Sequence, residues 1–199
     1  MIGVEVKEYN LPDFNEREIL RYCGVKEIDE RFSTILQACK KEAQEVISAR
    51  VCYAVLPVKI DGETCDFGAF SLLSKHLSKN LQNAKKTVVF VATVGVGMDR
   101  LIAKYGKISP VKALCMQAIG SERAEALADE FCQRLKETFT GVLPRFSPGY
   151  GDLSLQTQKK VFELLNPQKN IGVSLTDTLL MAPSKSVSAF VGIDESKEE

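Results

Sequence analysis

The chain has 199 residues, of which 45% are hydrophobic and 26% are charged, and it is long enough to bury a substantial core. Its 26 Lys and Arg residues balance its 26 Asp and Glu residues, so neither a nucleic acid nor an anionic membrane is an expected partner. The sequence has no secretory signal pattern and no run near the ~18 apolar residues of a membrane span. We therefore expect a single cytoplasmic domain over residues 1–199.

The N-terminal third predicts strands and helices in alternation. Three segments have strand patterns: residues 3–9, 51–60 and 63–66. Asn15 and Gly24 bracket a short helix as its N-cap and its stop signal. Apolar residues at three- and four-residue spacing predict an amphipathic helix over about 31–50. Asp61-Gly62 is the signal of a type I′ hairpin between the second and third strands.

The middle of the chain contains the clearest elements. A predicted helix over about 71–80 precedes the uninterrupted apolar run 87–94, which indicates a strand buried on both faces at the centre of the sheet. Ser109-Pro110 then opens the longest helix, since serine favours the N-cap and proline the first helical position. Gly120 weakens this helix by ~1 kcal/mol relative to alanine, so a bend or break is one expectation there.

Shorter elements complete the chain. We predict an extended segment at 142–146, a turn at 147–151, a helix at 154–165, strands at 173–175 and 186–192, and a frayed tail at 193–199. Strands and helices follow one another without regular β–α–β alternation. The prediction is therefore an α+β fold in which a mainly antiparallel sheet is flanked by helices.

Residues of the common catalytic and metal sites are scarce. The cysteines contain no Cys-x-x-Cys pair, and we interpret all six as small buried thiols: Cys23, Cys39, Cys52, Cys65, Cys115 and Cys132. The single histidine, His76, lies on a predicted helix and is expected at the surface. Gly95-Val-Gly97 resembles a dinucleotide-binding turn, but Arg100 stands in place of its third glycine. We predict neither a catalytic side chain nor a metal site.

One segment, Arg145-Phe-Ser-Pro-Gly-Tyr-Gly, combines residues suited to ligand binding. Pro148 and Gly149 occupy the positions that a type II turn favours, and such a turn can expose backbone amides beside Tyr150. With Arg145 at its start, the segment suits a ligand that has a carboxylate and a flat base. S-adenosylmethionine fits this description, as do many other ligands. The residues alone leave open that Arg145 makes an ordinary surface ion pair and that Pro148-Gly149 only turns the chain.

Two sequence blocks make a family recognisable. Arg145-x-Ser-Pro-Gly149-Tyr150 resembles the Arg-Pro-Ala-Pro-Gly-Tyr segment of the activation domain of cobalamin-dependent methionine synthase. Gly172-Val-Ser-Leu-Thr-Asp-Thr-Leu-Leu-Met-Ala-Pro-Ser-Lys-Ser-Val-Ser is similar to that domain's Gly-x-x-Leu-Thr-Glu-Ser-x-x-Met-x-Pro-x-x-Ser-Val-Ser. Gln158-x-x-x-Phe-Glu-Leu-Leu joins the two blocks, so the resemblance is specific over about residues 121–192.

The resemblance implies a domain that binds S-adenosylmethionine in a shallow groove and supports the reductive methylation of cob(II)alamin. It implies two partners, a methionine synthase or other corrinoid protein that carries the cobalamin and a flavodoxin or ferredoxin that supplies the electron. By position, Arg145 is expected to hold the ligand's carboxylate, and the main chain around Ser147 and Gly149 to meet its adenine. Tyr150 is expected beside the ligand and the corrinoid. Asp129 stands where the family has an acidic ligand-binding residue, although a solvated acid is an equal interpretation.

The sequence also departs from the family. The N-terminal third shows no counterpart of the family's ligand-binding Asp, and the chain ends soon after Gly192, where a further Tyr would follow. These departures lead us to expect a separately encoded domain that acts in trans as the reactivation component of a methyltransferase system. The alternative is a non-catalytic docking module for a corrinoid protein or a sensor of S-adenosylmethionine, since Arg145 and Tyr150 would serve either role.

Overall fold

The computed structural model describes residues 2–197. The strands among these residues are β1 (Glu5–Glu8), β2 (Arg50–Pro57), β3 (Lys59–Asp61), β4 (Thr64–Asp66), β5 (Ser71–Leu73), β6 (Lys86–Thr93), β7 (Ser174–Leu175), β8 (Met181–Ala182) and β9 (Ser186–Ile193). The helices are α1 (Glu16–Cys23), α2 (Glu30–Gln44), α3 (Lys75–Asn80), α4 (Val96–Ile108), α5 (Pro110–Thr138), α6 (Thr157–Leu165) and α7 (Pro167–Ile171), with a short 3₁₀ helix at Glu195–Lys197. None of the helices described is both long and apolar enough to span a membrane.

A four-stranded antiparallel sheet in the order β1-β2-β6-β9 forms the centre of the fold. The apolar run of β6 lies between β2 and β9, and every residue from Thr87 to Thr93 is buried. This confirms the predicted central strand. Two small antiparallel sheets, β3-β4-β5 and β7-β8, complete the strand pairing among the described residues. The predicted α+β fold with a mainly antiparallel sheet is confirmed.

Helices cover both faces of the central sheet because successive residues of its strands point to opposite sides. On one face, Phe90 packs against Phe131 of α5 with ring centroids 4.8 Å apart, within the layer formed by α1, α2, α4 and α5. On the other face, Val89 and Val91 pack with residues of α3, α6 and α7 and of the small sheet β3-β4-β5. Two apolar cores therefore enclose β6.

The long helix α5 runs without a break for 29 residues from its Ser109 N-cap, whose hydroxyl accepts a hydrogen bond from the amide of Lys112. The break considered at Gly120 is therefore not present. A β-carbon at Gly120 would lie 2.9 Å from Cγ of Lys185, so the glycine makes room for the lysine side chain that crosses the helix there. Gly120 thus allows close packing, and its backbone does not have the positive φ that only glycine adopts easily.

The N-terminal segment is fastened to α5 by a buried ion pair between neighbouring residues. Arg123 and Glu122 have side chains that are 1% and 5% exposed, and Nε of Arg123 donates to Glu122 over 2.6 Å. Arg123 also donates to the carbonyls of Pro12 (2.6 Å) and Asp13 (3.1 Å), while Glu122 accepts from the amide of Asn15 (3.1 Å). The pair thus satisfies main-chain groups that lead into α1.

Several predicted boundaries were wrong. Residues 71–73 form β5 and not the start of a helix, because they pair with β4, and α3 begins only after the Ser74 N-cap. The helix predicted to reach residue 50 ends at Gln44, since Arg50 already pairs with Thr93 in the sheet. The strand predicted over 51–60 divides at Val58 between two sheets. The predicted hairpin is present, but its two-residue turn is Gly62-Glu63 and not Asp61-Gly62, and only Gly62 has a positive φ, 58°, so the turn is not of type I′. The final strand extends to Ile193, and Glu198 and Glu199 of the predicted tail lie outside the described residues.

The six cysteines are all unpaired. Four are buried as predicted (Cys39, Cys52, Cys65 and Cys115), whereas Cys23 and Cys132 are only half-buried. Within residues 2–197, no group of three or more His, Cys, Asp or Glu side chains is arranged to hold a metal ion.

Candidate functional site

The segment after Arg145 forms the predicted type II turn. Gly149 has a φ of 91°, which glycine adopts without strain, and the amide of Tyr150 donates to the carbonyl of Ser147 over 3.2 Å. The amide of Gly149 donates to the carbonyl of Leu153 over 2.8 Å. Both amides are therefore used within the loop, and the turn contributes its shape and its remaining main-chain groups to the surface.

Asp152 fastens this loop to the start of α3. Its carboxylate accepts hydrogen bonds from the Ser74 hydroxyl (2.5 Å) and from the amides of Lys75 (2.8 Å) and His76 (3.2 Å). These bonds, the one from Ser74 first, lower the pKa of Asp152 to about 2. His76 is more than half exposed, as predicted, and a β-carbon at Gly151 would lie 2.3 Å from its Nδ1. The loop is thus held tightly against α3.

The extended segment before the turn lies along the outer edge of β9. Phe146 donates to and accepts from Phe190 over 2.8 and 2.9 Å, and Val142 forms a bridge to Ile193. The chain then turns away at Ser147. In an antiparallel strand, the main-chain N–H and C=O groups of alternate residues point to the same side. Ser188 and Ser186, two and four residues before Phe190, therefore direct theirs to the same outer edge of β9 as Phe190 does. They face the space that the turn leaves open.

This space is a groove of about 390 Å³ between the turn, α5, α6 and β9. Its walls are formed by Glu125, Arg145, Phe146, Ser147, Pro148, Tyr150, Gln158, Met181, Ser186, Val187 and Ser188. Arg145, Ser147 and Tyr150 are therefore brought together as predicted site residues, and Tyr150 is 69% exposed at the rim. The other two predicted site residues, Gly149 and Asp129, do not line the groove: Gly149 shapes the turn, and Asp129 pairs with Arg145.

Arg145 is held by two carboxylates of α5. Its guanidinium pairs with Glu125 over 2.5 Å and with Asp129, and its side chain is 24% exposed. Burial lowers the pKa of Arg145, but Asp129 and Glu125 outweigh this effect, so its pKa is raised above the ordinary value. The ion pair that the residues alone left open at Arg145 is therefore present, and it includes Asp129. The cluster of one guanidinium and two carboxylates has a net negative charge.

A second concavity, of about 520 Å³, is lined in part by the same two carboxylates. It is bounded by the N-terminal segment and α5, and the buried pair Glu122–Arg123 forms part of its wall. Glu125 and Asp129 border both this concavity and the Arg145 cluster. The acidic side of α5 therefore continues from the N-terminal segment to the groove.

Two groove residues that lie on helices, Glu125 and Gln158, were missed by the sequence reasoning. Glu125 precedes Asp129 by four residues, and this spacing, which places both carboxylates on one helix face, was an available signal. Gln158 was read only as part of the connecting motif, although its position in the first turn of α6 buries it beside the groove. No local pattern distinguishes it from the exposed Gln156.

Comparison with known proteins agrees with this arrangement. Residues 70–198, well over half of the chain, match the family described as "Vitamin B12 dependent methionine synthase, activation domain". A solved structure, "Crystal Structure of the MetH Reactivation Domain bound to AdoHcy", superposes with a TM-score of 0.71 over 100% of this chain and 80% of that one, at 16% sequence identity. At this identity the superposition shows a shared fold. The family match covers the turn, the groove and β9, and the chain belongs to the family of activation domains of vitamin B12-dependent methionine synthase.

Proposed function

We propose that this protein binds S-adenosylmethionine and supports the reductive methylation of cob(II)alamin on a methionine synthase or another corrinoid protein. The observation that carries the proposal is that the family match includes the Arg145–Tyr150 segment, which forms a wall of a groove. The related structure was solved with AdoHcy, the product that remains after S-adenosylmethionine loses its methyl group. Bound S-adenosylmethionine supplies a methyl group, which the cobalamin accepts together with one electron from a flavodoxin or ferredoxin-type donor.

The charge of the groove supports this ligand. S-adenosylmethionine has a carboxylate, an ammonium group and a sulfonium, so its net charge is positive, whereas the cluster of Arg145, Glu125 and Asp129 is negative overall. The guanidinium N–H groups of Arg145 can bind the ligand's carboxylate, while Glu125 and Asp129 balance the charges of its ammonium and sulfonium groups. Asp129 has a side chain that is 71% exposed, so its carboxylate is accessible to an ammonium group as well as to Arg145.

The remaining proposed contacts follow from position. Ser147 and the turn shaped by Gly149 offer main-chain groups and a flat surface to the adenine, and Pro148 lies on the same wall. Tyr150 stands at the rim, where an aromatic ring can contact both a bound ligand and an incoming corrinoid. We assign no side chain to acid–base chemistry. The protein's contribution is to bind and orient the methyl donor.

Ligand binding is tested first by calorimetry with S-adenosylmethionine. We expect Arg145→Ala to weaken binding by about 1.5–3 kcal/mol, the scale of a charge-assisted hydrogen bond. The matched control is Arg134→Ala on α5, because Arg134 also pairs with two carboxylates, Glu130 and Glu137, but lies outside the groove. Absence of binding by the folded wild-type protein at millimolar ligand contradicts the proposal.

Reactivation is tested with a cob(II)alamin-carrying partner, a low-potential electron donor and S-adenosylmethionine. The complete mixture should restore the methylcobalamin absorption spectrum, and omission of any component should prevent this. A partner that stays in the cob(II)alamin form, while this protein binds S-adenosylmethionine normally, contradicts the reactivation role. That result favours the alternative of a docking module or sensor.

A further inference from the structure

The side chain of Lys185 runs from the start of β9 to α5. Lys185 immediately precedes Ser186, the first residue of β9, which lines the groove. Its side chain crosses α5 at Gly120, where an added β-carbon would lie 2.9, 3.1 and 3.0 Å from Cγ, Cδ and Cε of the lysine. Its Nζ donates to the hydroxyl of Ser121 over 3.0 Å. The lysine therefore joins the β9 wall of the groove to the helix on the other side.

On α5, Ser121 stands one helical turn before the charged part of the groove. Ser121 and Glu125 are four residues apart, so they lie on the same face of the helix. Glu125 lines the groove and pairs with Arg145 over 2.5 Å. The contact of Lys185 with Ser121 is thus made within one turn of the α5 wall.

The main chain around Lys185 is fastened to other elements. The amide and the hydroxyl of Ser184 donate to the carboxylate of Asp99 in α4 over 2.8 and 2.6 Å. The carbonyl of Lys185 accepts from the amide of Val94, which follows β6, over 3.1 Å. These bonds do not involve α5, so the lysine side chain adds the link to that helix. Burial lowers the pKa of Lys185, although Asp99 opposes this effect, which shows that its ammonium group loses water in this position.

We propose that Lys185 is a positioning residue that sets the separation of the α5 and β9 walls of the groove. By lying across Gly120 and bonding to Ser121, it holds α5 at the distance from β9 at which one S-adenosyl ligand contacts both walls. This inference rests on the proposed function, because it assumes that the groove binds such a ligand. Lys185 does not itself line the groove and takes no part in methyl transfer.

A positioning role differs from a purely electrostatic one in its effect on two ligands. S-adenosylmethionine has a net positive charge, whereas S-adenosylhomocysteine lacks the sulfonium and has none. If only the charge of Lys185 mattered, its removal would strengthen binding of S-adenosylmethionine and leave binding of S-adenosylhomocysteine nearly unchanged. Loss of positioning instead weakens the binding of both ligands alike.

The test is calorimetry with both ligands at a temperature at which every variant is folded. Lys185→Ala removes the link, whereas Gly120→Ala keeps the lysine and its charge but places a methyl group in its path. The control is Gly106→Ala in α4, because an added β-carbon there meets no atom within 4 Å. We expect Lys185→Ala and Gly120→Ala to weaken binding of both ligands about threefold to tenfold, and the control to bind as the wild type does.

A double variant separates positioning from stability. In Gly120→Ala combined with Lys185→Ala, the three atoms nearest to the added methyl group are absent, and the loss of glycine favours the helix. The double variant should therefore melt at a higher temperature than Lys185→Ala. Its affinity for both ligands should nevertheless equal that of Lys185→Ala, because the link is missing in both proteins.

Several results would overturn the inference and leave the proposed function intact. These are wild-type affinity in Lys185→Ala or in Gly120→Ala, tighter binding of S-adenosylmethionine alone by Lys185→Ala, and an equal loss of affinity in Gly106→Ala. A lower melting temperature of Lys185→Ala with unchanged affinity would assign the lysine a structural role only. Failure of the wild type to bind either ligand overturns the proposed function and this inference together.

Discussion

Replacing Arg123 with methionine should destabilise the protein far more than removal of any exposed arginine. The guanidinium of Arg123 is 1% exposed and donates to both oxygens of Glu122 and to the carbonyls of Pro12 and Asp13. Methionine fills much of the same volume but leaves the Glu122 carboxylate buried without its counter-charge. Breaking a buried pair in this way costs about 3–5 kcal/mol.

The measurement is chemical denaturation followed by circular dichroism, together with thermal melts. For a domain of this size, a loss of about 3–5 kcal/mol corresponds to a melting temperature lower by roughly 6–20 °C. The matched control is Arg134→Met, because Arg134 lies on the same helix with a side chain that is 58% exposed. Its ion pairs with Glu130 and Glu137 are exposed to solvent and should contribute little to the free energy of unfolding.

Two results would refute this reasoning. One is a loss of free energy of unfolding for Arg123→Met that equals the loss for Arg134→Met. The other is a failure of Glu122→Leu, added to Arg123→Met, to recover any stability, since the double variant removes the uncompensated charge. Full recovery is not expected, because the carbonyls of Pro12 and Asp13 still lack their donor.

Three further predictions concern the groove and its loop. Asp129→Asn should weaken S-adenosylmethionine binding about twofold to fivefold without changing the melting temperature, because its side chain is exposed; unchanged affinity in calorimetry would make it a merely solvated acid. Tyr150→Ala should lower the rate of reactivation, measured from the cobalamin spectrum, more than it lowers the affinity for S-adenosylmethionine. Equal losses of rate and affinity would indicate that the ring contacts the ligand alone. Asp152 has a pKa of about 2 when folded and about 3.9 when unfolded, so its stabilisation is complete above pH ~4 and lost as the pH falls toward 2. Asp152→Asn should therefore melt earlier than the wild type at pH 6, and a difference that persists unchanged at pH 2 would contradict this.

Sequence patterns correctly predicted the elements whose structure is determined by residues close to one another in sequence. The uninterrupted apolar run of β6 and the Ser109-Pro110 start of α5 are set by burial and by helix capping, and both were predicted within a residue or two. The segment Ser71–Leu73 was assigned to a helix because its strand conformation depends on pairing with β4, which no local pattern encodes. Short elements such as β8 depend on tertiary contacts in the same way.

The same distinction applies to the groove. The Arg145–Tyr150 motif predicted a shared surface for Arg145, Ser147 and Tyr150, and these residues do line one groove. The sharing of Arg145 between Glu125 and Asp129 depends on how α5 packs beside the turn, and this is a property of the assembled fold. The burial of the Gln158 amide likewise becomes visible only when α6 is in place against the sheet.

The pairing of β9 with β6 determines when the groove can exist during folding. Thr93 pairs with Ser186 across almost half of the chain, and the whole of α5, the turn and α6 lie between them. Contacts of such long sequence separation form late because a large loop must close before they stabilise anything. A partly folded chain in which β9 has not docked lacks one wall of the groove, so a groove ligand has little to bind in it. A ligand that binds the groove therefore stabilises only the native state, in which β9 has docked, and so slows unfolding.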